Sequence, residues 1–136
     1  MRYLLDTHSM IWFQEANSKI PERAMKEIRA SENIIFFSQV SLFEIAIKQK
    51  IGKLPSFLAT IAEVHSQAIK DDFTFLPIQN KHVEAYEKVP LLAEHRDPFD
   101  RLLIATAYAE NLTVLTADKN FNLYPEIIKV AWNDFE

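Results

Sequence analysis

Four acidic side chains stand where this sequence could do chemistry: Asp6, Glu44, Asp100 and Asp118. Asp6 ends the short apolar run Arg2 to Leu5, and Asp118 follows Thr113 to Thr116 in the segment TAD. Each has an ordinary reading as the cap of the helix or turn that follows. Glu44 is harder to dismiss. It lies in SLFEIAIK, where Val40, Glu44, Ile47 and Ile51 share one helical face, so a carboxylate interrupts an apolar stripe. Burying a lone carboxylate is expensive, or raises its pKa. Lys48, four residues on, offers an ordinary surface pair instead, but such a pair is worth only about 0.3–0.5 kcal/mol. That does not account for the broken stripe.

Asp97 and Asp100 come together in HRDPFDRLLIATA. Asp97 precedes Pro98 and is well placed to cap a helix. Asp100 falls in the first turn, where a negative charge suits the helix dipole. It also shares a face with Ile104 and Ala107, which should pack inward. Asp100 is therefore the better site candidate and Asp97 an auxiliary one. Carboxylates gathered at one place repel one another. Mg²⁺ or Mn²⁺ would relieve the repulsion, because hard cations prefer oxygen ligands. Such an ion could activate water and stabilise charge at a phosphodiester. Spacing alone does not bring the four acids together; the elements that carry them must do so.

Those elements alternate. Arg2–Leu5, Asn33–Ser38, Phe73–Ile78 and Thr113–Thr116 read as short buried strands, with Ile127–Val130 as a fifth candidate. Helices are expected over 7–14, over 21–31 with Pro21 in the first helical position, over 40–51 ending at Gly52, over 56–70, over 80–88 and over Pro98–Glu110. Strands alternating with helices imply an α/β domain with a mainly parallel sheet. Sites in such sheets lie at the carboxyl ends of the strands, where Asp6 and Asp118 fall.

Composition removes several alternatives. The 136 residues favour one domain, 1–136, and with 49% hydrophobic residues it can bury a core. There is no cysteine, hence no thiol nucleophile, disulfide or Cys-ligated zinc. The single glycine, Gly52, excludes a P-loop, a GxGxxG turn and a GxSxG elbow. The net charge is −4, so any nucleic acid must be met by metal ions or a local basic patch. No run approaches a membrane span, and Asp6 cuts short the apolar start that a secretory signal needs. A cytoplasmic protein is expected.

With these segments in hand, the sequence resembles the PIN-domain ribonucleases of the VapC type, toxins of type II toxin–antitoxin pairs. The resemblance rests on YLLDTH, SLFEIAIKQKIGKL, HRDPFDRLLIATA and TVLTADKNF, in that order across almost the whole chain. It implies a three-layer α/β/α fold and hydrolysis of RNA with Mg²⁺ or Mn²⁺. It implies Asp6, Glu44, Asp100 and Asp118 as catalytic acids, with Asp6, Asp100 and Asp118 on the metal. Thr116 matches a polar position near the site. The resemblance further implies a homodimer and a cognate antitoxin that blocks the site.

The remaining polar residues have plainer readings. His8, His65, His82 and His95 lack ligand spacing and read as surface or structural, although His8 and His95 lie beside acidic motifs. Lys48 and Arg101 are the candidate phosphate contacts, against a default of solvated surface charge. A haloacid-dehalogenase phosphotransferase would want DxD where this chain has DTH. A receiver domain would want a phosphoacceptor Asp where the second strand ends in Ser38. A non-catalytic RNA-binding or protein-interaction module of the same fold is the other reading.

Overall fold

The computed structural model describes residues 1–132, so the last stretch of the expected 1–136 domain, residues 133–136, lies outside the described residues. The elements run β1 (Arg2–Leu5), α1 (Thr7–Gln14), α2 (Glu22–Arg29), β2 (Ile34–Ser38), α3 (Gln39–Lys50), α4 (Ile61–Lys70), β3 (Thr74–Leu76), α5 (Asn80–Ala85), α6 (Pro98–Glu110), β4 (Thr113–Leu115) and β5 (Lys129–Ala131). Single 3₁₀ turns lie at Tyr86–Lys88 and Lys119–Leu123. The sheet is wholly parallel, in the order β3-β2-β1-β4-β5.

The period of two along each strand builds two cores. Tyr3, Leu5, Ile35, Phe37 and Leu115 face Met10 and Ile11 of α1, Ala24 and Ile28 of α2, and Val64 and Ala68 of α4. Leu4, Phe36 and Val114 face Ala85 of α5 and Leu103, Ile104 and Ala107 of α6. Helices thus cover both faces, in the three layers expected. Helix α3 serves both, with Leu42 and Ile45 in one core and Val40 in the other. His82 ties α5 to α6: it is buried, and its Nε2 lies 2.7 Å from Glu110 Oε2.

Local signals set most boundaries. Helix α3 ends in a Schellman motif at Gly52, whose φ is +75°. The Gly52 N–H donates to Gln49 O at 3.2 Å and the Lys53 N–H to Lys48 O at 2.8 Å. Other boundaries differ from expectation. Pro21 caps α2 from outside rather than sitting in its first turn. Helix α4 begins at Ile61, not near 56, because Thr60 and Glu63 form a reciprocal capping box. Gln49 Nε2 donates to the carbonyls of Phe57 and Ala59, which keeps the preceding stretch out of the helix. The last strand starts at Lys129 because the N–H groups of Ile127 and Ile128 both still bond back to Tyr124 O.

The stripe expected along α3 is also different. Val40 and Glu44 are buried, but Ile47 is half-buried and Ile51 is exposed. The apolar face rotates toward Leu42 and Ile45.

Arg101 is the clearest correction. Read as a candidate phosphate contact against a default of solvated surface charge, it is only 3% exposed. Its Nε donates to Tyr86 Oη at 3.0 Å, Nη1 to Pro90 O at 2.6 Å and Nη2 to Val89 O at 3.0 Å. The chain after the 3₁₀ turn offers carbonyls to no sheet or helix, and a planar five-donor fork collects them. Arg101→Lys should therefore cost about 1.5–3 kcal/mol of folding stability in urea titrations. A variant as stable as the parent would show that the fork does not hold this loop.

Candidate active site

The strand order reverses between β1 and β4, and in open parallel sheets the crevice that takes ligands lies at the carboxyl ends of the strands at such a point. Asp6 follows β1 there and Thr116 follows β4. Asp6 is buried, and its backbone N–H reaches Leu115 O at 3.4 Å. Asp6 Oδ1 accepts from the Ser9 N–H at 3.0 Å, capping α1, and Oδ2 accepts from Thr116 Oγ1 at 2.7 Å. The capping reading of Asp6 is thus met, and its second carboxylate oxygen is held by Thr116. Burial pushes the Asp6 carboxyl above the usual carboxylate range; the bonds from Ser9 and Thr116 and the charge of His8 oppose that push.

Thr116 Oγ1 also accepts from the Asp118 N–H at 3.0 Å, so one hydroxyl links two of the expected acids. Asp118 caps the 3₁₀ turn after β4 by accepting from the Asn120 N–H at 2.9 Å.

The other acids arrive on helices. Ser38 ends β2 and caps α3 by accepting from the Val40 N–H at 3.0 Å, and Glu44 sits one turn and a half further on. Glu44 is only 4% exposed. Its Oε1 accepts from Thr7 Oγ1 at 2.6 Å and its Oε2 pairs with Lys48 Nζ at 3.1 Å. The helical pair weighed as the plain alternative does exist, but it closes over a buried carboxylate rather than a solvated one. Asp97 caps α6, its Oδ1 accepting from the N–H groups of Phe99 at 2.8 Å and Asp100 at 3.1 Å. Asp100 Oδ2 lies 3.1 Å from His95 Nε2.

Glu44, Asp97 and Asp100 each bring a carboxylate oxygen within 4.8 Å of the others. Among the described residues no other three acids or histidines gather this way. The grouping differs from the sequence reading in two respects. It includes Asp97, read mainly as a cap, and it leaves out Asp6 and Asp118, which stand along the same sheet edge and are joined through Thr116. Thr7, directly after Asp6, contacts Glu44 and connects the two sets.

Like-charge crowding is visible at Asp100. Burial pushes its carboxyl up to about 6, the His95 bond opposes this, and the charges of Asp97 and Glu44 add to the push. Three carboxylate oxygens so close fit a hard divalent cation, which would repay the repulsion. Thr7, Ser41 and His95 are parts of the site that sequence reading did not assign. Thr7 stands in the DTH segment beside an acid already singled out. Ser41, whose Oγ accepts from Thr7 Oγ1 at 3.0 Å, leaves no such signal.

The sequence profile of the PIN domain matches residues 3–127. A search of curated protein sequences finds no match. Several solved structures share the fold. VapBC2 from Rickettsia felis, bound to a DNA fragment from its promoter, is 19% identical, with 96% of this chain and 98% of that chain aligned at a TM-score of 0.69. DNA-bound VapBC from Salmonella typhimurium is 15% identical over 96% and 97%, with a TM-score of 0.69. FitAcB from Neisseria gonorrhoeae is 18% identical over 94% and 95%, with a TM-score of 0.62.

Asp97 caps α6 and also lies in the acidic group, whereas Asp100 lies in the group without capping, so the two can be told apart. Asn caps helices as well as Asp does, so Asp97→Asn should keep folding stability within about 0.5 kcal/mol. Asp100→Asn should fold at least as well as the parent without metal, since a crowded charge is gone. Both should weaken Mn²⁺ binding in calorimetry by at least about tenfold. Parent-like Mn²⁺ affinity in Asp97→Asn would reduce Asp97 to a cap.

Proposed function

Because the chain belongs to the PIN-domain family, we propose that it is, as one domain over 1–136, a divalent-metal-dependent endoribonuclease and the toxin of a type II toxin–antitoxin pair. PIN domains are generally nucleases. The observation that carries the proposal is the convergence of Glu44, Asp97 and Asp100 within 4.8 Å at the carboxyl edge of a parallel sheet.

In this reading Glu44, Asp97 and Asp100 hold Mg²⁺ or Mn²⁺, and Asp6 and Asp118 complete the acidic edge. When bound, the ion lowers the pKa of water and stabilises negative charge on a phosphodiester. The chain's own residues do the rest. Thr7 and Lys48 hold the two Glu44 oxygens at 2.6 and 3.1 Å, which fixes the carboxylate without a metal. Thr116 and Ser9 fix Asp6 in the same way. Lys48 is half-buried at the rim, where its ammonium can exchange Glu44 for a phosphate oxygen. With Arg101 committed to the loop carbonyls, Lys48 is the remaining candidate for that contact.

Solved relatives in fold are VapBC and FitAcB assemblies. By extension, an antitoxin is proposed for this chain, one that offers the acidic cluster a basic side chain. An Arg fits best, since its fork matches carboxylates in pairs. The homodimer is supported by Phe43 on α3 and Ile51 at its C-cap, large apolar side chains that are 58% and 59% exposed. Light scattering of the purified protein, and co-purification from its native host, report on the two partners. A monomer, or a toxin recovered alone, would count against them. No helix of the described residues is long and apolar enough to cross a membrane.

Cleavage is the decisive test. Purified protein free of any antitoxin should cut susceptible RNA with Mg²⁺ or Mn²⁺, and lose the activity in excess EDTA. Asp6→Asn should remove at least about a hundredfold of the rate, the scale of one catalytic group. Undiminished cleavage in EDTA, or in Asp6→Asn, would overturn the proposal. RNA binding without cleavage under every metal would favour the non-catalytic module.

A further inference from the structure

His95 read as a surface or structural histidine in the sequence, but the structure buries it at 4% exposure with both ring nitrogens engaged. Nε2 lies 3.1 Å from Asp100 Oδ2, and Nδ1 lies 2.9 Å from Tyr124 Oη. Tyr124 is itself buried, at 1% exposure. Phe121 and Tyr124 pack their rings against the imidazole at 5.8 and 5.7 Å between centroids. The backbone is pinned as well, since the His95 N–H donates to Leu92 O at 3.2 Å. The loop carrying it is the one whose carbonyls Arg101 collects.

Hydrogen-bond direction follows from the donors present. A phenol has one proton to give. The alternative acceptor for the Tyr124 hydroxyl is His95 O, at 3.5 Å, the weaker of the two contacts. The proton therefore goes to Nδ1, which leaves Nε2 carrying the ring's own N–H. That N–H points at Asp100.

We propose that His95 is a positioning residue for the acidic site: its Nε2–H holds one oxygen of Asp100, and Tyr124 fixes the imidazole tautomer that makes Nε2 the donor. This inference rests on the reading of Asp100 as a metal-binding carboxylate. A free carboxylate rotates about its terminal torsion at little cost. One held by a buried imidazole, itself held by a buried phenol, presents its other oxygen in one direction. Outer partners of this kind typically set metal affinity by ten- to hundredfold.

Three variants separate the donor from the ring. Gln places an amide N–H near the position of Nε2, Asn places one near Nδ1, and Phe keeps only the ring packing. By calorimetric titration with Mn²⁺, His95→Gln should bind within about threefold of the parent. His95→Asn and His95→Phe should each weaken binding about ten- to hundredfold, and Tyr124→Phe by a smaller factor. Circular dichroism melts accompany each variant. ¹⁵N NMR of the metal-free parent gives a readout that needs no variant: Nε2 should be protonated and Nδ1 bare. The opposite tautomer, or a doubly protonated ring, would overturn the proposal. So would parent-like Mn²⁺ affinity in His95→Phe, or a loss in His95→Gln as large as in His95→Asn. Binding that is lost in Asp100→Asn but untouched in every His95 variant defeats this inference alone. A parent that binds no Mn²⁺ defeats the site reading and the inference together.

Discussion

Carboxylates a few ångströms apart in a half-buried crevice repel one another, and folding must hold them there before any counter-ion arrives. The polar contacts at the carboxyl edge of the sheet are arranged around that constraint. Asp6 receives Ser9 and Thr116, Glu44 receives Thr7 and Lys48, Asp97 receives the first N–H groups of α6, and Asp100 receives His95. Among the described residues, no buried side-chain nitrogen or oxygen is left without a partner. Asp6 and Asp97 are held as helix caps, and Glu44 and Asp100 by side chains of neighbouring elements.

Each candidate acid is itself a cap or lies on an element that begins with a side-chain cap. Asp6 caps α1, Ser38 caps the helix that carries Glu44, Asp97 caps the helix that carries Asp100, and Asp118 caps the turn after β4. Each helix or turn starts at the carboxyl edge, where N–H groups without intrahelical partners face the crevice. An acid placed there is stabilised by its own backbone while it waits for a ligand. For Asp6, Asp97 and Asp118 a capping role therefore leaves a role in the proposed site open to the same side chain.

Much of this was legible in the sequence because it is local. Short apolar runs between helical patterns gave the parallel sheet, and Gly52 and Pro98 marked helix ends through their own backbone limits. Asp6, Glu44 and Asp118 stand out in the sequence because each breaks or follows an apolar segment, and Asp100 because it shares a face with Ile104 and Ala107. What stayed hidden depends on distant contacts. Arg101 reads as a charged surface residue until the loop at Val89 and Pro90 folds beneath it. Asp97 reads as a cap because its grouping with Glu44 depends on another helix, α3. His95 stands five residues from Asp100 and was visible beside an acidic motif, but its bond to Tyr124, 29 residues away, left no local signal. The capping box at Thr60 and Glu63 was local, and its pattern was available in the sequence.

The bond between Thr116 and Asp6 spans 110 positions of the chain, and the one from Ser9 to Leu115 spans 106. Strand β1 lies between β2 and β4 in the sheet, so it gains its second neighbour only from the far end of the sequence. Synthesis proceeds from the N-terminus. A growing chain that has not yet reached residue 113 therefore possesses Asp6, Glu44 and Asp100 but lacks the strand and the hydroxyl that settle Asp6 in place.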